Sequence, residues 1–351
     1  MSVMPRLNRK ALRGGLMVFH KPRGEPSRAY GADMVSRILW NHQREVDEGL
    51  REDLIDWPAL KKKGKVKVGH FGTLDPEASG LLPVAYGNAT RVATHLKLTP
   101  KVYKARLCLG TATTSGDVDG QVVETRQVPS LPGDEELQNI CFDNFVGRIV
   151  QRPPKYSAIH VNGVRAYELA RNNVEFEMPT RQVTVYEMLS SKVPGSDNLI
   201  DLDITCASGT YIRTLGEDLA RKLGTVGHLA SLHRSKSGIL SLQENSHALS
   251  PEEVEAYNNK PLNYTTVELM RLFPRLTIDL PVKKLAERVM RGRKLNTLLT
   301  DSLTTPEFGP NALFSAESDI PIALMDVFGK NKRDVKFLVN FWGKNGNWIG
   351  V

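Results

Sequence analysis

At 351 residues, 40% hydrophobic and 25% charged, the chain carries enough apolar material for a sizeable core and has the composition of a soluble globular protein. A net charge of +8 and a pI near 9.3 favour a polyanionic partner. Three scattered cysteines (Cys108, Cys141, Cys206) without CxxC spacing argue against a zinc site or disulfide framework, and no apolar run reaches membrane-spanning length.

In chain order, Met1–Gly15 carries Arg6, Arg9, Lys10 and Arg13 with no acid and reads as a basic arm; a weak organelle-targeting segment is the competing reading, and no signal-peptide core opens the chain. Leu16–His20 is an apolar run stopping at Lys21-Pro22, a strand entering a turn. Ala32–His42 repeats Met34, Val35, Ile38 and Leu39 at helical spacing. Residues 43–67 switch from acidic (Glu45, Asp47, Glu48, Glu52, Asp53, Asp56) to basic (Lys61, Lys62, Lys63, Lys65, Lys67), which reads as a charged surface insertion.

Ala89–Lys97 reads as a short helix, and Val102–Gly110 and Gln121–Gln127 as strands around a Ser115–Gly120 turn. Asp134–Phe145 and Arg165–Asn172 read as helices. Gln182–Leu189 and Leu199–Cys206 alternate as antiparallel strands, and Thr210–Leu223 is an amphipathic helix ended by Gly224. Strands and helices mix without regular β-α-β alternation, so the expected fold class is α+β. A boundary is expected near Phe273-Pro274. Beyond it lie a basic helix candidate, Val282–Arg293, and short strands such as Ile322–Val327 and Phe337–Trp342.

The most informative stretch is Gly69-His70-Phe71-Gly72-Thr73-Leu74-Asp75-Pro76, followed by Ala78-Ser79-Gly80 and a hydrophobic run. A single carboxylate sits in a glycine-dense loop, where the backbone can approach a ligand closely. Pro76 biases Asp75 toward an extended or turn conformation. A lone Asp-Pro would ordinarily read as a turn capping a following helix.

The run Val68–Pro83 resembles the catalytic motif of the TruB family of tRNA pseudouridine synthases. Further matches follow in that family's order: Tyr103–Gly110, Thr113–Gly120, Gln151–Ala158, Gly163–Arg171, and Gly209–Leu215 with Asp218-Leu219. Lys21-Pro22-Arg23-Gly24 is similar to its N-terminal motif. The resemblance spans roughly residues 15–240, about two thirds of the chain.

It implies the pseudouridine synthase fold: a large mixed, mostly antiparallel sheet flanked by helices, with a small C-terminal β-rich domain of PUA type. The implied organisation is a basic arm at 1–15, a catalytic domain at 16–273 holding the 43–67 insertion, and a C-terminal RNA-binding domain at 274–351. Pseudouridine formation breaks the C1′–N1 bond of a flipped nucleotide and rejoins the uracil through C5. Residue by residue, the resemblance assigns Asp75 as the essential carboxylate, Tyr103 as the aromatic platform and C5 base, and Arg213 as the cation that keeps Asp75 ionised. Whether Asp75 attacks C1′ or C6, or acts as a base, stays open. His70 would wedge into the place of the flipped nucleotide, Tyr211 would line the base pocket, Leu232 would touch the uracil, and Lys21 would bind substrate or support the loop. Read without the resemblance, Tyr103, Tyr211 and Leu232 are core residues, Arg213 a surface arginine and His70 structural.

The implied activity is isomerisation of uridine 55 in the T-loop of tRNA, in the cytoplasm, with tRNA as partner and without metal, cofactor, membrane or obligate protein partner. A guide-RNA-dependent synthase of the dyskerin type and a non-catalytic tRNA-folding chaperone are the alternatives. Four departures bear on substrate range: Phe71 stands where the family usually has a small residue, His160 replaces a common lysine, His233 a common arginine, and Glu25-Pro26-Ser27 differs from the usual serine- or threonine-rich continuation.

Overall fold

The computed structural model describes residues 11–241, apart from positions 13, 51–53, 63, 97 and 239, and beyond them only short segments between residues 262 and 340. The framework is one large mixed sheet. Its main strands and the longer helices are β1 (Gly14–Lys21), α1 (Ser27–Asp47), β2 (Ala78–Gly87), β3 (Lys101–Leu109), α2 (Asp134–Phe145), β4 (Gly147–Gln151), β5 (Arg181–Lys192), β6 (Leu199–Cys206), α3 (Ile212–Lys222) and β7 (Gly227–Ser237). The strand order is β4-β5-β6-β3-β7-β2-β1, with Leu262–Thr265 added beyond β1. Neighbours along this path run antiparallel except at one seam, where β7 lies parallel to β2 from Leu232 opposite Ala78 to Arg234 opposite Gly80.

Both faces of the sheet are covered, which explains why β1 reads as a continuous apolar run rather than an alternating one. Met17 and Phe19 join the core under α1, with Val35, Leu39, Leu82 and Val84. Leu16 and Val18 point the other way, into a cluster with Leu81, Ala85 and Val92. On β3 the alternation is strict: Tyr103, Ala105 and Leu107 face the core, while Lys104 and Arg106 face outward to Asp203 and Asp201 at 2.9 and 2.7 Å. Exposed pairs of that kind contribute at most about 1 kcal/mol each. Helix α2 opens on Asp134, Glu135 and Glu136, which suit the positive end of its dipole, and buries Leu137, Cys141 and Phe145. Helix α3 buries Leu215, Leu219 and Ala220.

The α+β expectation and the large, mostly antiparallel sheet are what the structure has, and the helix expected at Asp134–Phe145 has those bounds. Helix α1 is longer than its apolar pattern, because residues 43–47 continue it as a solvated end. The expected insertion therefore begins inside a helix. Its remainder packs back onto α1: Trp57 lies 4.9 Å from Trp40 ring to ring, Trp57 Nε1 donates to Gln43 Oε1 at 2.9 Å, and Lys61 Nζ sits 4.6 Å from the Trp57 ring. Lys61–Lys62 and Lys65–Val66 form a short hairpin leading into the Asp75 loop.

Four C-terminal strands, Arg275–Ile278, Gly309–Ser315, Ala323–Phe328 and Asp334–Asn340, make a separate sheet. Leu276, Ile278, Leu313, Met325 and Val327 fill one side of it, and Ala312, Phe314 and Leu324 join the cluster of Leu16, Val18 and Leu81. Residues 1–10, the expected boundary at Phe273-Pro274 and most of Val282–Arg293 lie outside the described residues. No described helix is long and apolar enough to cross a membrane.

Candidate active site

Asp75 stands in the loop between the short strand Val68–His70 and β2, three residues before the seam where β2 meets β7. No helix follows it; Ala78 N donates to Asp75 O at 3.1 Å and the chain turns directly into β2. Three anchors fix this loop. Ser27, the first residue of α1, accepts from Leu74 N at 3.0 Å and donates to Leu74 O at 2.7 Å through the same hydroxyl. Lys21, fully buried, spends its ammonium on the carbonyls of Pro22, Glu25 and Pro76 at 2.8, 2.7 and 2.9 Å. Arg234, also fully buried, donates to Gly72 O and Leu81 O.

Arg213 approaches from α3. Its Nε lies 2.9 Å from Asp75 Oδ2, while its Nη1 and Nη2 donate to Ser115 O at 2.6 Å and Tyr156 O at 3.0 Å. Only 4% of the Arg213 side chain is exposed, against 33% of Asp75, so the cation is locked and the carboxylate keeps one open side. Asp117 makes a third member, with Oδ2 3.9 Å from Arg213 Nε and Oδ1 accepting from Ser115 Oγ at 2.5 Å. Burial raises the Asp75 carboxyl above the ordinary carboxylate range; Arg213 opposes the rise and Asp117 adds to it. Glu217 is raised by burial as well. The Arg213 guanidinium is thus the group that most opposes that rise and favours the Asp75 carboxylate beside other acids.

Asp75, Asp117, Arg213 and Leu232 line one cleft together with Glu77, Ala78, Val118 and Leu229–Ser231. Tyr103 lies behind it, buried on β3 with Ile204 across on one side and Arg234 on the other. Burial pushes its phenol up, and Arg234 opposes that. Leu232, half-buried, sits across from Ala78 and Ala105. Tyr211 is the residue before α3; its backbone exchanges two hydrogen bonds with the Gln151 side chain, and the Arg181 guanidinium stacks 4.7 Å from its ring. His70 ends the short strand, with Nε2 3.1 Å from Thr73 Oγ1. Burial, Arg28 and Arg234 lower its pKa. Lys21 lies under the loop, held by backbone; burial pushes its pKa down to about 8.

Phe71 and His233, two of the departures, find structural partners. Phe71 packs against the cluster of Leu16, Val18 and Leu81. His233 Nδ1 is 3.0 Å from Ser79 Oγ, and its ring is 5.5 Å from His20. His160 is exposed on a two-residue strand. Sequence reasoning gave no site role to Asp117, Ser27 or Arg234. Asp117 stood within a recognised motif, but Ser27 and Arg234 act across 47 and 162 residues.

Chemically, the cleft offers one half-open carboxylate held by a locked arginine, next to an apolar wall and near a buried phenol. That suits nucleophilic or base chemistry on a planar substrate delivered from outside. Among the described residues no group of three or more His, Cys, Asp or Glu is placed to hold a metal ion.

Residues 60–212 match the profile of the TruB family pseudouridylate synthase N-terminal domain. A tRNA pseudouridine synthase B of Clostridium perfringens strain SM101 is 41% identical over 270 residues, covering 77% of this chain and 86% of that protein. The protein of the same name from Oceanobacillus iheyensis is 36% identical over 231 residues, covering 66% and 75%. In fold, a chain of the solved Cbf5-Nop10-Gar1 complex aligns over 93% of this chain and 82% of its own length, with a TM-score of 0.57 and 22% identity. The chain belongs to the TruB family of pseudouridine synthases.

Proposed function

We propose that this protein converts uridine to pseudouridine in tRNA, that its target is the T-loop uridine at conventional position 55, and that it acts without a guide RNA or obligate protein partner. The observation that carries the reading is the Asp75–Arg213 pair at the β2–β7 seam, with Nε 2.9 Å from Oδ2 and one side of the carboxylate open. Identity of 36–41% to proteins named tRNA pseudouridine synthase B supports the stand-alone reading over the guide-dependent one.

The chemistry is an isomerisation, so electrons balance without an oxidant. The C1′–N1 bond breaks, the uracil turns, C1′ joins C5, and the proton lost from C5 is matched by one gained at N1. A stacked or looped base must first be extruded into the cleft, and a single-stranded loop is the RNA element that permits this at least cost. Asp75 supplies the carboxylate, to C1′, to C6 or to a sugar proton. Arg213 favours its anionic form and aims it. Tyr103 takes the role of stacking platform and acceptor of the C5 proton, and Leu232 and Tyr211 bound the base. His70 occupies the space left by the extruded nucleotide, and Lys21 supports the loop. The C-terminal sheet serves as a further RNA-binding unit of PUA type.

The test is to map pseudouridine, by mass spectrometry or chemical labelling, in an unmodified tRNA transcript incubated with the purified protein. Conversion of the T-loop uridine alone is expected. Conversion elsewhere, or only after addition of a guide RNA, would overturn the assignment.

A further inference from the structure

Arg234 is fully buried on β7, yet no carboxylate is paired with it among the described salt bridges. A buried guanidinium without a counter-ion is costly unless its position is used. Its donors go to backbone on both sides of Asp75: Nη2 to Gly72 O at 2.7 Å, and Nε and Nη2 to Leu81 O at 2.9 and 2.7 Å. One side chain therefore ties the two ends of the segment that carries the carboxylate.

The glycines of that segment fit around it. Gly72 has φ of +74°, and a Cβ there would lie 3.0 Å from Arg234 Nη1 and 2.9 Å from Lys101 Nζ. Gly80 has φ of +110°, and a Cβ there would collide with the Arg234 backbone. The loop is glycine-rich where Arg234 needs the space.

The remaining nitrogen, Nη1, is buried and makes no hydrogen bond among the described residues. Arg234 is the direct cross-strand partner of Tyr103, so their side chains share one face of the sheet. The other groups bearing on the phenol are Cys206 and Asp75, neither of them a cation.

We propose that Arg234 is the positioning residue of this site, holding the Asp75 segment by both ends and supplying the positive charge that lowers the cost of ionising Tyr103. The inference rests on the function proposed above. In the step concerned, the C5–H bond breaks, its proton moves to the phenolate oxygen, and the electron pair returns to the uracil ring; the phenol later releases the proton to solvent. Burial, Cys206 and Asp75 all disfavour the phenolate, and Arg234 is the group that opposes them.

The experiment measures turnover of a T-arm stem-loop carrying either ordinary or 5-deuterated uridine at the target. Arg234→Gln should lower kcat by about 100-fold or more with KM within about threefold, and raise the isotope effect on kcat above that of wild type. Arg234→Lys keeps charge beside Tyr103 but cannot bridge both carbonyls, so it should be slower than wild type by about 10-fold with the isotope effect near the wild-type value. Gly72→Ala should also slow turnover, through displacement of Nη1, and it tests the clamp should Arg234→Gln fail to fold.

Unchanged kcat in Arg234→Gln or in Gly72→Ala overturns the proposal. So does a loss in Arg234→Gln without a larger isotope effect, which would mean structural collapse alone. An equal rise in Arg234→Lys overturns it as well. A wild-type enzyme that leaves the stem-loop and the full tRNA unconverted would instead defeat the function itself.

Discussion

Arg213 meets Asp75 through Nε at 2.9 Å because its two terminal nitrogens are already committed to the carbonyls of Ser115 and Tyr156. The pair is therefore set by three segments at once: the turn at Ser115, the loop at Tyr156 and the start of α3. With both tips of the fork held, Asp75 Oδ2 pairs with the guanidinium by proximity, 2.9 Å from Nε, rather than through an aligned hydrogen bond.

That geometry predicts the behaviour of Arg213→Lys. A lysine keeps one charge but cannot serve two carbonyls and a carboxylate in fixed directions. Turnover of a T-arm hairpin should fall by about 100-fold while KM changes by a few-fold, the signature of a loss confined to the reacting state. Steady-state kinetics decide it, and a kcat within twofold of wild type would count against a positioning role for the guanidinium.

Tyr103→Phe should separate stacking from proton transfer. The ring keeps its platform, which contributes about 1–3 kcal/mol per base in such contacts, but loses the oxygen that would accept the C5 proton. Hairpin affinity should stay within a few-fold and kcat should drop sharply. Equal turnover by the two proteins would place the C5 base elsewhere.

Ser27→Ala removes the hydroxyl that both accepts from and donates to Leu74. Leu74 N and O would be left buried without those partners, at a cost of about 1–3 kcal/mol. Thermal denaturation should show a lower Tm, and kcat should fall because Leu74 adjoins Asp75. Unaltered stability would mean that other contacts hold the loop.

Lys101 supplies a pH test. Burial, with Arg234 beside it, pushes its pKa from 10.5 down to about 8. Below pH 8 the lysine is charged both folded and unfolded, and the fold carries the full cost of burying that charge. Between about pH 8 and 10.5 the unfolded chain holds a proton that the folded chain has released, so this group makes stability rise with pH. Compared with Lys101→Met, the wild type should gain about 3 kcal/mol across that window, measured by denaturant unfolding at several pH values. Parallel stability curves for the two proteins would contradict it.

Much of this arrangement was legible along the chain because it is local. The Asp75 loop, the strict alternation of Lys101–Leu109 and the acidic start of Asp134–Phe145 each state their structure within about ten residues. Tyr103 and Arg213 needed the family resemblance, since a buried tyrosine on a strand and an arginine at a helix start have ordinary readings of their own. What stayed hidden acts through space. Arg234 reaches Gly72 across 162 residues and Ser27 reaches Leu74 across 47, and neither side chain differs in type from a common surface residue. The end of α1 was missed for another reason: residues 43–47 are solvated, so no apolar periodicity marks them.

The central claim is that this chain makes pseudouridine through Asp75. The most direct measurement is single-turnover conversion of an unmodified T-arm stem-loop by wild type and by Asp75→Asn, with hairpin binding measured in parallel. Wild type should convert the target uridine fully, and Asp75→Asn should bind within a few-fold, because phosphate contacts and RNA shape dominate affinity, yet form no pseudouridine. Conversion by Asp75→Asn at a rate comparable to wild type would contradict the account.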